Sequence, residues 1–299
     1  MNKRSSLVSP LSPPLLTSLA LALALLAVPA CKKDKHDGDT VNPDEASTTD
    51  GGEGEGDTAA DVEVDSALPE QEADPAEFAG LYQRFLKGEF AEVATEAQAL
   101  RATLTADTQI RGNALLAALE GLAAGREIPE NGRDVAEEAV AAGVRLGDPE
   151  VQQFAHVAHA AYLTGIHESA EAQAELDAVI GNEGAYAVLA RLYLAEAHLN
   201  QAFGVGEDDG KIVAPERLDQ AAVEYKKVIG SGDPLLEGRA HEGLAAVYDY
   251  KRDKPTACGH LQEADEFLAE GEAGEMLRDN ISHHAGALRC KDFVAAGSK

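Results

Sequence analysis

Beyond Asp74 the sequence places apolar side chains three and four residues apart, segment after segment, and shows no run of β-branched residues alternating in twos. Spacing of that kind lays an apolar stripe along a helix, whereas one face of a strand needs a period of two. This part of the chain is therefore confined to helices. Proline sets the breaks. Asp74-Pro75, Asp148-Pro149 and Asp233-Pro234 each join a good N-cap to a residue tolerated in the first helical turn, and Pro129, Pro215 and Pro255 also fall between apolar runs. The punctuation predicts about eleven helices, starting near residues 75, 89, 107, 131, 149, 167, 184, 215, 234, 255 and 272. Short helices in close succession form hairpins, and hairpins that recur point to a stack.

The recurrence is clearest in RAHEGLAAVYDYKRDKPTACGHLQEADEFL, which begins at Arg239. Leu244, Ala245 and Tyr248 on its first helix, with Ala257, Leu261 and Ala264 on its second, alternate large and small side chains so that two helices can approach closely. This arrangement resembles the tetratricopeptide repeat (TPR) family, although His241 stands where that family often has Trp. Looser copies have Leu189, Ala190 and Tyr193 with Ala221, Tyr225 and Val228; Ala158 and Tyr162 with Ala172, Leu176 and Val179; then Ala136, Val140 and Gly143; then Val93, Ala97 and Leu100. Their central positions are 43, 36, 49 and 36 residues apart, against 34 in the family. The resemblance implies an all-α, right-handed α-solenoid of about five divergent TPR-like hairpins over residues 75–299. A capping helix from Glu272 to Lys291 would end its core with Met276, Leu277, Ile281 and Leu288.

Residues 1–30 read as a signal segment: Lys3 and Arg4 precede an apolar stretch from Leu15 to Val28, too short to span a hydrocarbon core of roughly 30 Å comfortably. The junction Val28-Pro29-Ala30-Cys31 resembles the lipobox of bacterial lipoproteins. That resemblance implies a lipid on Cys31, and Lys32 after it implies sorting to the outer membrane of a Gram-negative-type envelope. Cleavage by an ordinary signal peptidase, giving a soluble periplasmic or secreted protein, is the alternative. Residues 31–74 follow with 15 acidic residues, three lysines and hardly any large apolar side chain. Such a stretch cannot bury enough area to offset its ordering entropy, so it is expected to be a disordered tether reaching about 35–40 Å.

The cysteines beyond the tether are Cys258 and Cys290, an even count suited to an oxidising compartment. If the last two helices pack antiparallel, Cys290 lies about one turn from the residue facing Cys258. A disulfide between them is the expectation, and it would pin the terminal helix to the last hairpin. Among nine histidines, His156 and His159 share a helix and His283 adjoins His284, but neither pair has a third ligand at a recognisable spacing. No metal and no cofactor are expected. GVGEDDGK, from Gly204 to Lys211, is glycine-rich, yet no strand precedes it and its acids would repel phosphate. It reads as an insertion between two helices of one unit, and the sequence offers no nucleophile beside a base.

The net charge of −28, with no acid in the first thirty residues, disfavours nucleic acid as a partner, because that affinity comes from Lys and Arg displacing counterions. A membrane would be reached through the lipid alone. The family resemblance implies a concave groove that holds a segment of a partner protein, lined by Arg239, Glu242, Ala246, Asp249 and Tyr250 in the clearest unit and by Arg191 and Leu194 in the preceding one. The expected function is a lipid-anchored scaffold or adaptor for an envelope complex. A structural spacer and, less favoured, an enzyme or small-ligand binder on the same helices are the alternatives.

Overall fold

The computed structural model describes residues 76–104, 109–204 and 210–296; the signal segment, Cys31 and the acidic tether lie outside the described residues. Eleven helices account for the architecture: α1 (Phe78–Leu86), α2 (Phe90–Arg101), α3 (Ile110–Glu127), α4 (Pro129–Leu146), α5 (Pro149–Gly165), α6 (Ser169–Gly181), α7 (Ala187–Gln201), α8 (Pro215–Val228), α9 (Pro234–Tyr250), α10 (Lys254–Glu270) and α11 (Glu275–Leu288). Every start falls within three residues of the position set by proline and capping signals. Among the described residues there is no β-strand, only an isolated bridge between Phe203 and Ile212 at the base of the insertion. No described helix is long and apolar enough to cross a membrane.

The capping signals work as the sequence implies. Asp148 accepts hydrogen bonds from the amides of Glu150 (2.9 Å) and Val151 (3.2 Å), and Asp233 does the same for Leu235 (2.9 Å) and Leu236 (3.1 Å). Pro129, Pro149, Pro215 and Pro234 occupy the first position of their helices, where the missing N–H has no intrahelical partner to lose. Asp148 also receives Arg111 of α3 at 2.8 Å, so one carboxylate both caps α5 and ties it to α3.

Each helix packs on the next, and each odd-numbered helix from α1 to α7 also touches the next odd-numbered one, through to α9. One apolar cluster runs through all eleven, from Phe78 and Phe85 to Leu277 and Ile281, so no hairpin has a private interior. The positions expected to be small or large inside the hairpins are buried: Val93, Ala97, Ala172, Leu176, Ala221, Tyr225, Ala257, Leu261 and Ala264.

Two details differ from expectation. In α4 the buried stripe is Gly132, Ala136, Ala139 and Gly143, with Val140 only half-buried. Here α3 and α4 meet through glycine rather than through a large residue: a Cβ on Gly132 would lie 2.4 Å from the carbonyl oxygen of Gly121. In α11 Met276 is 47% exposed, whereas Leu277, Ile281 and Ala285 are buried. Leu277 is drawn inward because the start of α11 rests on the turn after α1. The amide of Gly274 donates to the carbonyl of Lys87 at 2.8 Å, Lys87 pairs with Glu272 at 3.1 Å, and Leu277 packs over Gly88, whose φ of +95° excludes ordinary side chains. The terminal helix thus contacts the first turn as well as the last hairpin.

Cys258 of α10 and Cys290 form the expected disulfide, with Cα atoms 5.6 Å apart. Arg289, left-handed at φ +55°, ends α11 and reverses the chain so that Cys290 meets α10. The segment after it lies along α10, where Gln262 exchanges hydrogen bonds with the Val294 backbone at 3.0 and 3.3 Å.

Two predictions follow from this packing. Gly132→Ala forces two backbones apart and should cost about 1–3 kcal/mol in chemical denaturation, whereas Gly259→Ala in α10, where the added methyl meets nothing within 4 Å, should gain about 0.5–1 kcal/mol. Reduction of Cys258–Cys290, which closes a 32-residue separation, should remove about 3–4 kcal/mol, read as a lower Tm in dithiothreitol that Cys258→Ser reproduces.

Candidate functional site

The residues expected to line a groove are held by neighbouring helices, and none is widely exposed. Leu194 is part of the core, at 4% exposure. Arg191 of α7 turns to α8, where Glu224 receives it at 3.2 Å and also takes Lys227 at 2.6 Å. Arg239, 5% exposed, pairs with Glu196 of α7 at 3.2 Å. Glu242, Ala246, Asp249 and Tyr250 are half-buried on the same helix as Arg239. The Tyr250 ring meets Phe203, just past α7, at 4.6 Å between centroids. Asp249 lies 3.6 Å from His284 Nε2 of α11. The α9 face therefore bridges α7 and α11, with Glu242, Ala246, Asp249 and Tyr250 as its half-buried row.

At the centre of this region stands Glu196. It accepts from Arg126 of α3 at 2.9 Å and from Arg239 of α9 at 3.2 Å, which links three odd-numbered helices through one carboxylate. Arg126 lies over the Phe90 ring at 5.6 Å and the Tyr193 ring at 6.0 Å, and Arg239 over Tyr193 at 5.9 Å. Such stacking orients a guanidinium without neutralising it. Tyr193 Oη and Arg239 Nη1 are buried and have no hydrogen-bond partner among the described residues. Burial raises the Glu242 carboxyl above the usual carboxylate range, against the pull of Arg239 and Arg126, and the Glu196 charge adds to the rise.

Helix α1 approaches the same region from the other side. Phe78 and Tyr82 meet the Phe154 ring of α5 edge-on, each at 5.7 Å, and Tyr82 meets Tyr186 at the start of α7 at 6.0 Å. Burial first, then the nearby Asp233 and Tyr193, push the Tyr82 phenol upward, which puts α1 within electrostatic reach of the α7 and α9 residues. An aromatic, amphipathic helix of this chain thus already covers part of the face where the odd-numbered helices meet. The buried Arg and Tyr donors beside a carboxyl of raised pKa form a polar cluster within the helix packing.

Arg126, Glu196 and Tyr82 were not singled out from the sequence. The available signal was a pair of charges in otherwise apolar stretches: Arg126 ends α3, and Glu196 interrupts the run from Leu192 to Ala197. His156 and His159 both turn to Glu175 of α6, at 3.2 and 2.8 Å. Burial works to raise the Glu175 pKa, but these two hydrogen bonds outweigh it and bring it down to about 2. The insertion base is pinned by the amide of Val213 donating to Ala202 at 2.8 Å, with residues 205–209 outside the described residues. Comparison with family models, curated proteins and solved structures returns no match to this chain.

Glu242 gives a prediction with a defined sign. A carboxyl whose pKa is higher folded than unfolded binds protons preferentially in the native state, so its contribution is full below about 4.5 and fades as pH rises through the raised value. Glu242→Gln removes that titration. Its Tm should exceed the wild-type Tm at pH 7 to 8 and fall back toward it near pH 4.

Proposed function

We propose that this chain is a scaffold of a bacterial cell envelope, tethered by a lipid on Cys31 and the acidic segment to residue 74, which binds a segment of a partner protein along the α9 face. The observation that carries this reading is the serial contact of α1, α3, α5, α7 and α9, one to the next, with the even-numbered helices set between them. It supports five stacked hairpins plus the capping helix α11, in the right-handed coil that the TPR resemblance implies. In that arrangement the odd-numbered helices line the concave side. The polar groups gathered there, Arg126, Glu196, Arg239 and Glu242, suit a peptide backbone or side chain better than a reaction, and the half-buried row of Glu242, Ala246, Asp249 and Tyr250 supplies a strip for it.

The outer-membrane placement rests on the lipobox-like junction at Cys31. The charge of −28 disfavours nucleic acid as a partner. Charge reversal at Arg191 or Arg239 cannot separate a scaffold from a spacer, since both arginines pair inside the fold.

Ala246→Arg is the better probe, because it adds bulk and charge to the half-buried row without breaking an ion pair. The full chain, tagged at its C-terminus and crosslinked in envelope membranes, should retain a defined partner protein. Ala246→Arg, checked as folded by circular dichroism, should lose at least nine-tenths of that capture, and Cys31→Ala should move the chain to the soluble fraction. Equal capture by Ala246→Arg and wild type would reject this surface, and a membrane-bound Cys31→Ala would reject the anchor.

A further inference from the structure

The α9–α10 hairpin brings together three side chains that no local sequence pattern joins. His241 of α9 and His260 of α10 are 19 positions apart, and Glu263 follows His260 at the i, i+3 spacing that puts both on one face of α10. Their ligand atoms form a nearly equilateral triangle. His241 Nδ1 lies 3.0 Å from His260 Nδ1 and 2.9 Å from Glu263 Oε2, and His260 Nδ1 lies 3.1 Å from the same oxygen.

Protons on the two imidazoles cannot satisfy this triangle around a carboxylate. With one ring nitrogen protonated, its N–H serves the edges it belongs to, and the other nitrogen and the carboxylate oxygen still face each other with lone pairs. With both protonated, each can donate to Glu263, and two N–H groups then oppose each other across 3.0 Å. While the glutamate carries its charge, at least one edge is repulsive whichever ring nitrogens hold protons. A cation placed over the triangle is attracted by all three atoms at once.

We propose that His241, His260 and Glu263 form a binding site for a divalent first-row transition-metal ion. An ion about 2.1 Å from each donor sits about 1.2 Å above their plane and sees them at angles near 90°, the facial set of an octahedron, with water on the open positions. A tetrahedral ion would need donors about 3.4 Å apart, wider than any edge here. Two imidazoles with one carboxylate are also the donor set that first-row metals favour over calcium or magnesium.

The surroundings fit this role. The His241 ring stacks on Phe267 at 5.4 Å and the His260 ring on Tyr248 at 5.5 Å, so both imidazoles are fixed in orientation by aromatic neighbours on their own hairpin. Burial is graded: His241 is 6% exposed, His260 is half-buried and Glu263 is exposed. The site therefore opens to solvent on the glutamate side, which gives the ion an approach and leaves room for its waters. The bound ion would brace α9 against α10 midway along the hairpin, beside the α9 strip that begins at Glu242. The inference stands apart from the proposed partner, because it needs only the hairpin.

Titration of the full chain with Ni²⁺, a first-row ion that accepts octahedral coordination, tests it by calorimetry, with the acidic tether present as a common weak background. Wild type should show one site of micromolar or tighter Kd above that background, weakening at least tenfold between pH 7 and pH 5 as the imidazoles protonate. His260→Gln and Glu263→Gln should each weaken that site at least tenfold, whereas Glu175→Gln, at the His156 and His159 cluster, should leave it unchanged. Glu263 is exposed, so its variant keeps the fold, and circular dichroism checks His260→Gln. Ni²⁺ should also raise the Tm of wild type and not that of either ligand variant. Identical stoichiometry and affinity in wild type and Glu263→Gln, or no site above background in wild type, would overturn the assignment.

Discussion

Glu196 sits between Arg126 and Arg239, and this shared carboxylate sets how the helices of the molecule can be arranged. Without it two guanidiniums from α3 and α9 would face each other beside the buried Tyr193 ring. With it α3, α7 and α9 are drawn to one point, although α3 and α7 belong to units separated by an intervening hairpin. Arg239 is the buried member, and leaving its charge without Glu196 costs about 3–5 kcal/mol; Arg126 is exposed, so its pairing with Glu196 adds less. Of the residues expected to line a groove, Arg239 and Leu194 serve the interior, whereas Arg191 and the row from Glu242 to Tyr250 keep some contact with solvent.

The two ends of the helical region carry complementary restraints. At one end Cys258–Cys290 ties the close of α11 to α10, and the following segment lies back along α10. At the other, the turn after α1 receives Gly274 and Leu277 from the beginning of α11. A stack of hairpins normally frays from its termini, because terminal units have one neighbour where internal units have two. Here the last helix is held by two partners far apart in sequence, and the first helix is held by aromatic rings from α5 and the start of α7. Both ends therefore acquire contacts that a simple linear array would lack.

Small residues are the other means by which the hairpins close up. Gly121, Gly132 and Ala136 bring α3 and α4 within backbone contact, and Gly243 lies against the Tyr225 ring where α8 meets α9. Close approach trades side-chain volume for backbone contact, and it leaves the large residues, Phe85, Phe154 and Tyr193, to fill the space between layers. That division of labour explains why the α4 stripe is read wrongly when a large residue is assumed at its centre: Val140 turns aside because glycine already sets the distance.

Sequence alone determined the helices and their limits, because Asp-Pro caps and apolar spacing act within a few residues and need no distant partner. It also determined which small and large positions are buried in most hairpins, and it brought Cys258 and Cys290 within a turn of each other, since antiparallel neighbours keep a fixed register. Tertiary structure alone decided which charges meet. Arg126, Glu196 and Arg239 come from three helices, His241 and His260 from two, and Gly88 and Leu277 from opposite ends. Those meetings depend on the crossing angles of successive helices summed over several units. Local periodicity carries no record of such a sum, so the fold's elements could be read from the chain while the composition of its functional face could not.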